Sequence, residues 1–412
     1  MKFNQLYVSS SAFSSVLASL HKDVCHWTPL HLSVSEHAVF DNHQSFPETV
    51  GRYLNHIGQE KSGANWDGPH ACKDKYCVWS SRPFTGGLSI VTTHKSGRQA
   101  PNITINEDNP YRSSSFQTIQ IANKGIGMIA TDVIRRGERI LAAQPAVLVH
   151  RSLIDELNLK DQHRLLEVAM AQLPPAEQHQ FLAQAGELGG HKISDIMFTN
   201  SFQISVRGQD GQYFGNFPAV SRFNHDCRPN VAFYIDETLT HHTHAIRDIQ
   251  PGEELTISYL DSFRAREVRQ ARAHASWGFA CTCPQCSLPK EDADASDARL
   301  YSIYQVENKL ADLSSKDVSP DMIEQLIDLY KRERLDFKMA DAYTIAALNY
   351  NLFGMADEAK KHANLSIEQG LIEHGPDAPD IEAMRSLLAD AKGHWTYNRR
   401  PYHEKKTTKT VV

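Results

Sequence analysis

The chain has 412 residues, of which 41% are hydrophobic and 22% charged, with a formal net charge of −6. That length provides for two or three globular domains with buried cores, and the mild acidity excludes a general electrostatic attraction to nucleic acid. No run reaches the roughly 18 apolar residues of a membrane-spanning helix, and 7 cysteines, an odd number, cannot close completely into disulfides.

Residues 1–114 are rich in Ser, His, Gly and Pro and read as an irregular region of unknown role, with short strands at 76–79 and 88–93. Lys2 followed by the moderately apolar run 8–20 leaves two readings open. A retained N-terminus suits the nucleus or cytoplasm, whereas a cleaved signal peptide implies the secretory route. Cys72 and Cys77 either pair, or one of them pairs with Cys25, or all three are buried thiols.

From Phe116 the pattern changes. Residues 117–122 predict a strand, Gly125 and Gly127 a turn, 127–133 a second strand and 139–149 a third. Residues 153–188 show helical spacing, which Pro174-Pro175 breaks into two helices, the second starting near Ala176. Residues 191–260 read as short strands and loops, and 262–277 as a helix with charges on one face.

A cysteine cluster follows, then a polar acidic linker over 289–297. From 300 to about 395, apolar positions recur at helical spacing, among them Met322, Leu326, Tyr330, Ala346 and Tyr350. Within this region, 341–371 resembles one tetratricopeptide unit. An ordinary helical bundle fits the same pattern. Residues 398–412 read as a flexible tail.

Two segments carry chemistry. The first is S-R-F-N-H-D-C-R-P-N at 221–230, and the second is G-E-E-L-T-I-S-Y at 252–259. Upstream lies K-G-I-G at 124–127. In this order the three resemble the motifs of SET-domain lysine methyltransferases. The closer resemblance is to the SET-and-MYND group and to fungal SET proteins. It includes T-N-S-F-Q-I at 199–204 and W-G-F-A-C-T-C-P-Q-C at 277–286, and it covers roughly 117–287. The cysteine-rich MYND module is absent.

The resemblance implies an α+β fold. Its parts are a SET-domain β fold with a pseudo-knot over 115–290, a helical insertion at about 151–190, a post-SET zinc segment at 277–287 and an all-α region over 298–397. It implies transfer of a methyl group from S-adenosylmethionine to a lysine of a protein substrate, histone or non-histone. An activated sulfonium donor needs no acid at its leaving group. The site must align a neutral amine with the methyl carbon, about 3 to 3.5 Å away.

Tyr259 is the expected catalytic residue, orienting that amine. Lys124, Gly125, Gly127, Asn200, Ser221, Asn224, His225 and Phe279 are the expected cofactor contacts. Asparagine offers the donor and the acceptor that suit an amino-carboxylate, and His225 is expected to act structurally and not as a base. Phe202 and Trp277 are expected to line the lysine channel.

Trp277 departs from the tyrosine of the relatives, and Asp226 from their usual serine. The first departure and the missing MYND module motivate an alternative, a catalytically weak or inactive SET-derived interaction module. In either case the helical C-terminal region is the expected surface for a protein partner.

Cys281, Cys283 and Cys286 place three thiolates within six residues, a spacing that favours metal over disulfides. In the resembling proteins Cys227 is the fourth ligand. Four protein ligands imply a structural zinc, clamping the segment that carries Trp277 and Phe279.

Overall fold

Alternating side chains set the first layer of the protein. The computed structural model describes residues 66–400 apart from 83–85, 101–102, 104–109, 207–208, 314 and 316. Strands β1 (Cys72–Lys73), β2 (Tyr76–Ser81) and β3 (Leu88–Thr93) are followed by a short helix, His94–Gly97. Val78, Val91, Val147 and Val149 pack on one face of the sheet, whereas Trp79, Ile90, Leu148 and Tyr213 pack on the other. A strand covered on both faces reads as near-continuous apolar sequence.

Residues 66–114 are therefore not irregular throughout, as the sequence suggested. Their strands belong to a six-stranded sheet that three strands further along the chain complete. Cys72 and Cys77 face each other across the β1–β2 pair and form a disulfide. Cys25 and the run 8–20 lie outside the described residues.

Strand β4 (Tyr111–Arg112) leads to the hairpin β5 (Phe116–Ile121) and β6 (Gly125–Ala130). Asn123 and Gly125 take left-handed φ values of 61° and 73° in its turn, conformations that Asn and Gly tolerate best. The single strand expected over 139–149 is instead two, β7 (Arg139–Ala143) and β8 (Val147–His150), which lie in different sheets. Pro145 sits in the break; it lacks the N–H that a continuous ladder needs.

The helical insertion is more divided than expected. Ser152–Glu156 and Leu159–Gln172 are separated by Asn158, whose side chain accepts from the Asp161 N–H and caps the second helix. Pro175–Leu182 follows, with proline in its first turn.

The loop-and-strand expectation over 191–260 fails at its start, where Lys192–Asn200 is helical. Ile193, Ile196 and Met197 bury one helical stripe there. Strands β9 (Ser201–Ser205) and β10 (Gln212–Asn216) complete the six-stranded sheet, of order β1-β2-β3-β8-β10-β9, whereas β11 (Asn224–His225), β12 (Val231–Ile235), β13 (His241–Ala245) and β14 (Glu254–Ile257) complete two four-stranded sheets, β11-β14-β6-β5 and β12-β13-β7-β4.

The helix Arg266–Trp277 ends at Gly278 in the left-handed conformation. The expected acidic linker 289–297 is helical: Lys290–Ala311 runs through it, with Glu291 and Asp292 in the first turn, where the helix dipole favours acids. Pro320–Arg332, Met339–Leu352, Ala356–Glu373 and Pro379–Ala389 complete an all-α region around one apolar core.

Residues 398–400, expected in a flexible tail, are bonded to the helical region. The Arg400 N–H donates to the Leu352 carbonyl at 2.8 Å and its guanidinium to Asn349 Oδ1 at 2.9 Å. Among the described residues no helix is long and apolar enough to cross a membrane.

Candidate active site

Parallel pairing of β11 with β14 puts Asn224 beside Thr256 and His225 beside Ile257. Two motifs some thirty residues apart thereby share one wall. That wall opens on a cleft of about 720 Å³. Lys124, Gly125, Asn200, Phe202, Ser221, Asn224, His225, Tyr259, Trp277 and Phe279 all line it. Gly127 stands just behind: a Cβ there would lie 2.6 Å from Asn224 Nδ2 and 2.4 Å from the Ile121 side chain. Only glycine lets β6 approach Asn224 so closely.

The polar groups in the wall are already oriented. Asn224 Nδ2 donates to Glu254 Oε1 at 2.9 Å, and Lys124 Nζ to Glu254 Oε2 at 2.6 Å. Asn200, at the end of its helix and not on the expected strand, donates through its amide to the Ala185 and Ile196 carbonyls at 2.7 and 2.8 Å. Ser221 Oγ donates to the Pro218 carbonyl.

Tyr259 is fixed at both ends. Its backbone N–H donates to His225 Nδ1 at 3.1 Å, and its hydroxyl to the Phe223 carbonyl at 2.5 Å. Burial, helped by the Glu254 charge, holds the phenol well above its ordinary value of 10.0. The group is therefore a neutral phenol at physiological pH. Burial pushes His225 down to about 4. Because Nδ1 accepts a hydrogen bond, the ring proton sits on Nε2, 3.3 Å from Cys227 Sγ. Trp277 lies 5.4 Å from the Tyr259 ring, and its Nε1–H donates to the Thr199 carbonyl at 3.2 Å.

Behind this wall the four expected cysteines meet. The sulfurs of Cys227, Cys281, Cys283 and Cys286 all lie within 4.8 Å of one another, and Cys227 and Cys286 are 3.6 Å apart. Sulfurs bound at about 2.3 Å around a tetrahedral zinc stand about 3.8 Å apart. The spacing therefore suits zinc and is too wide for a disulfide. The Cys286 N–H donates to Cys283 Sγ, and hydrogen bonding from Cys227 pulls the Cys283 thiol down to about 5. Burial opposes the charge on Arg269, but Cys227 and Cys286 beside it raise its pKa on balance. A cation so placed would offset the excess negative charge of four thiolates if they held a divalent metal.

A second cleft, of about 780 Å³, opens between β9 and β12 on one side and residues 337–380 on the other. Its lining carries Asp236, Glu237, Asp341, Glu373, Asp377 and Asp380 against Lys338 and His374. Phe202 and Ser258 line both clefts. A second group of ligand-type side chains, Asp341, Glu373 and His374, stands in this wall. It is internally compensated, with His374 Nε2 at 3.1 Å and Lys338 Nζ at 3.6 Å from the Asp341 carboxylate.

The family model described as SET domain matches residues 125–260. The chain carries a SET domain. It is related to the SET-and-MYND group of methyltransferases. Among similar proteins, the histone-lysine N-methyltransferase set5 of Schizosaccharomyces pombe is 32% identical over 181 residues, covering 44% of this chain and 53% of that one. The N-lysine methyltransferase SMYD2 of Gallus gallus is 26% identical over 247 residues, covering 55% and 53%. The histone-lysine N-methyltransferase SMYD3 of Homo sapiens is 37% identical over 97 residues, covering 23% and 22%. The chain spans about half the length of the first two relatives.

Within the SET domain, sequence reasoning missed Glu254, the carboxylate that holds both Asn224 and Lys124. Its signal was present as the acid of G-E-E-L, placed opposite a lysine in the neighbouring motif. The Thr199 carbonyl, partner of Trp277, carried no such signal. Trp277 lines the first cleft and not the second, so it stands on one side of the wall that Phe202 spans.

Proposed function

We propose that this chain is a protein-lysine methyltransferase that binds S-adenosylmethionine in the first cleft and its protein substrate in the second. The observation that carries this reading is the meeting of the two clefts at Phe202 and Ser258, next to Tyr259. Two ligands entering from opposite faces would touch only there.

Bound in the first cleft, S-adenosylmethionine supplies a methyl group already activated on a sulfonium. The acceptor carbonyl of Asn200 and the Asn224 side chain suit its amino-carboxylate, and Phe279 offers an apolar face for the adenine. Tyr259 positions the acceptor amine. Its proton is committed to the Phe223 carbonyl, so the phenol oxygen presents its lone pairs to an amine N–H. Phe202, packed on Phe217 and Phe233, forms an apolar wall that disfavours the ammonium form and helps release its proton to water.

The substrate is an extended basic segment. Strand β9 ends its six-stranded sheet and β12 ends its four-stranded one, so both edges of the groove can add a strand. The exposed carboxylates Glu237 and Asp377 of the groove match positive charges flanking the target lysine.

In the same reading the four cysteines hold a structural zinc that fixes the Trp277 and Phe279 segment as the last wall of the cofactor cleft. The paired helices Met339–Leu352 and Ala356–Glu373 form a tetratricopeptide-like unit that closes the groove.

The test is incubation of the purified protein with radiolabelled cofactor and a broad protein extract, beside Asn224→Ala. Label on lysines that disappears in the variant supports the proposal. Absence of cofactor binding by the zinc-loaded wild type overturns it. Binding without transfer to any protein leaves the interaction-module reading in its place.

A further inference from the structure

The helical C-terminal region sends one buried carboxylate into the back of the cofactor site. Glu333 follows the helix Pro320–Arg332 and is 1% exposed. Its Oε2 accepts from Arg228 Nη2 at 2.9 Å and from Ser296 Oγ at 2.7 Å, and its Oε1 from Arg299 Nε at 2.6 Å. Its backbone carbonyl accepts a further bond from Arg228 Nε.

Arg228 belongs to the loop that carries Asn224, His225 and Cys227. It also donates from Nη1 to the Cys227 carbonyl at 2.8 Å and to the Ser262 carbonyl at 3.3 Å, while its N–H donates to Asp226. Ser296 in turn accepts from Gln285 Nε2 at 2.7 Å. Gln285 lies between Cys283 and Cys286 and accepts from Arg334 at 3.0 Å. One carboxylate from outside the matched SET region thus reaches both the cofactor loop and the thiol segment.

We propose that Glu333 is a positioning residue for methyl transfer, and that the helical region uses it to set the register of the Asn224-to-Cys227 loop against the cysteine segment. The inference rests on the proposed function for its kinetic meaning, and on geometry alone for the coupling itself. A guanidinium bonded by both the carboxylate and the backbone of one partner is fixed in direction as well as place. Without Glu333, Arg228 is a buried cation with a missing partner, so the loop must move to rehydrate it.

The test compares Glu333→Gln with Glu307→Gln. Glu307 is another buried acid of the same helices, and the bond it accepts from the Tyr330 hydroxyl lies within the helical region. Glu307→Gln therefore reports what loss of helical stability does by itself. Calorimetry should show Glu333→Gln weakening S-adenosylmethionine binding about tenfold, the scale expected from one lost buried charge-assisted bond. Glu307→Gln should stay within about twofold of the wild type even if its melting temperature falls as far.

Equal cofactor affinity in wild type and Glu333→Gln overturns the proposal. If the wild type binds no cofactor, the proposed function fails, and the thiols decide the coupling separately. Faster reaction of the four cysteines with a thiol reagent in Glu333→Gln than in Glu307→Gln retains it, and equal rates reject it. Should Glu333→Gln not fold, Arg299→Gln and Ser296→Ala, which each remove one bond from the same carboxylate, carry the comparison on the same criteria.

Discussion

The two clefts of this protein are of similar size but differ in construction. The first is built almost entirely from short motifs whose polar atoms already bond one another: Asn224 and Lys124 to Glu254, Tyr259 to Phe223, His225 to Tyr259. The second is assembled from β9, β12 and a helical region more than a hundred residues downstream; its acids Glu237 and Asp377 are exposed, whereas Asp341 and Glu373 are buried. A pre-oriented site pays little to reorganise when charge moves. Exposed acids on the rim of a groove recognise through long-range complementarity instead. Small changes in the first should therefore have large effects, and comparable changes in the second small, salt-dependent ones.

Removal of the proposed zinc is the harshest way to break that contrast. A chelator, or Cys283→Ser, should release the segment bearing Trp277 and Phe279. Cofactor affinity should fall by about a hundredfold or more, with a lower melting temperature, because binding energy at a structural zinc site is also folding energy. Cofactor titration of metal-free protein checks this, and unchanged affinity would separate the cysteines from the cleft.

Tyr259→Phe comes next. Losing the oxygen proposed to orient the amine should reduce kcat by about a hundredfold, the usual scale for one pre-organised polar group, with cofactor affinity within about twofold. Because the phenol lies above its ordinary range, the rate should rise with pH in the variant as in the wild type, following deprotonation of the substrate amine. A shifted pH profile in the variant would instead make Tyr259 a titrating base.

The smallest effect belongs to the groove. Glu237→Gln and Asp377→Asn each remove an exposed charge from its wall. Each should raise KM for a basic peptide by about two- to fivefold at low salt, with kcat unchanged, and the difference should shrink as salt screens it. A loss of kcat would mean that the groove takes part in the chemistry and not only in recognition.

The same contrast explains what could be read from the sequence. Asn224, His225, Tyr259 and the cysteine set were legible because their chemistry sits in contiguous residues, and strand pairing then brings the two halves together. Glu254 was within reach, since it lies inside one of those motifs. The groove was not, because nothing local ties Phe202 on β9 to Tyr234 on β12 or to Glu373 at the end of a helix.

Secondary structure failed where one residue outweighed the pattern around it. Pro145 cut one expected strand into two that belong to different sheets. The polar, acidic run 289–297 resembled a linker because its acids stabilise a helix N-terminus without displaying an apolar stripe. His241 shows the limit from another side. It is fully buried among Phe202, Phe217 and Phe233, a position that its place in H-H-T-H did not reveal.

The most direct measurement is a crystal structure of the zinc-loaded protein with S-adenosylhomocysteine and a basic lysine peptide. The sulfur should lie in the first cleft beside Tyr259. The peptide should run along β9 and β12, with its lysine passing Phe202 and Ser258 to within about 3 to 4 Å of the position of the transferred carbon. A peptide bound away from the groove, or a cofactor whose sulfur points away from Tyr259, would contradict the assignment of the two clefts.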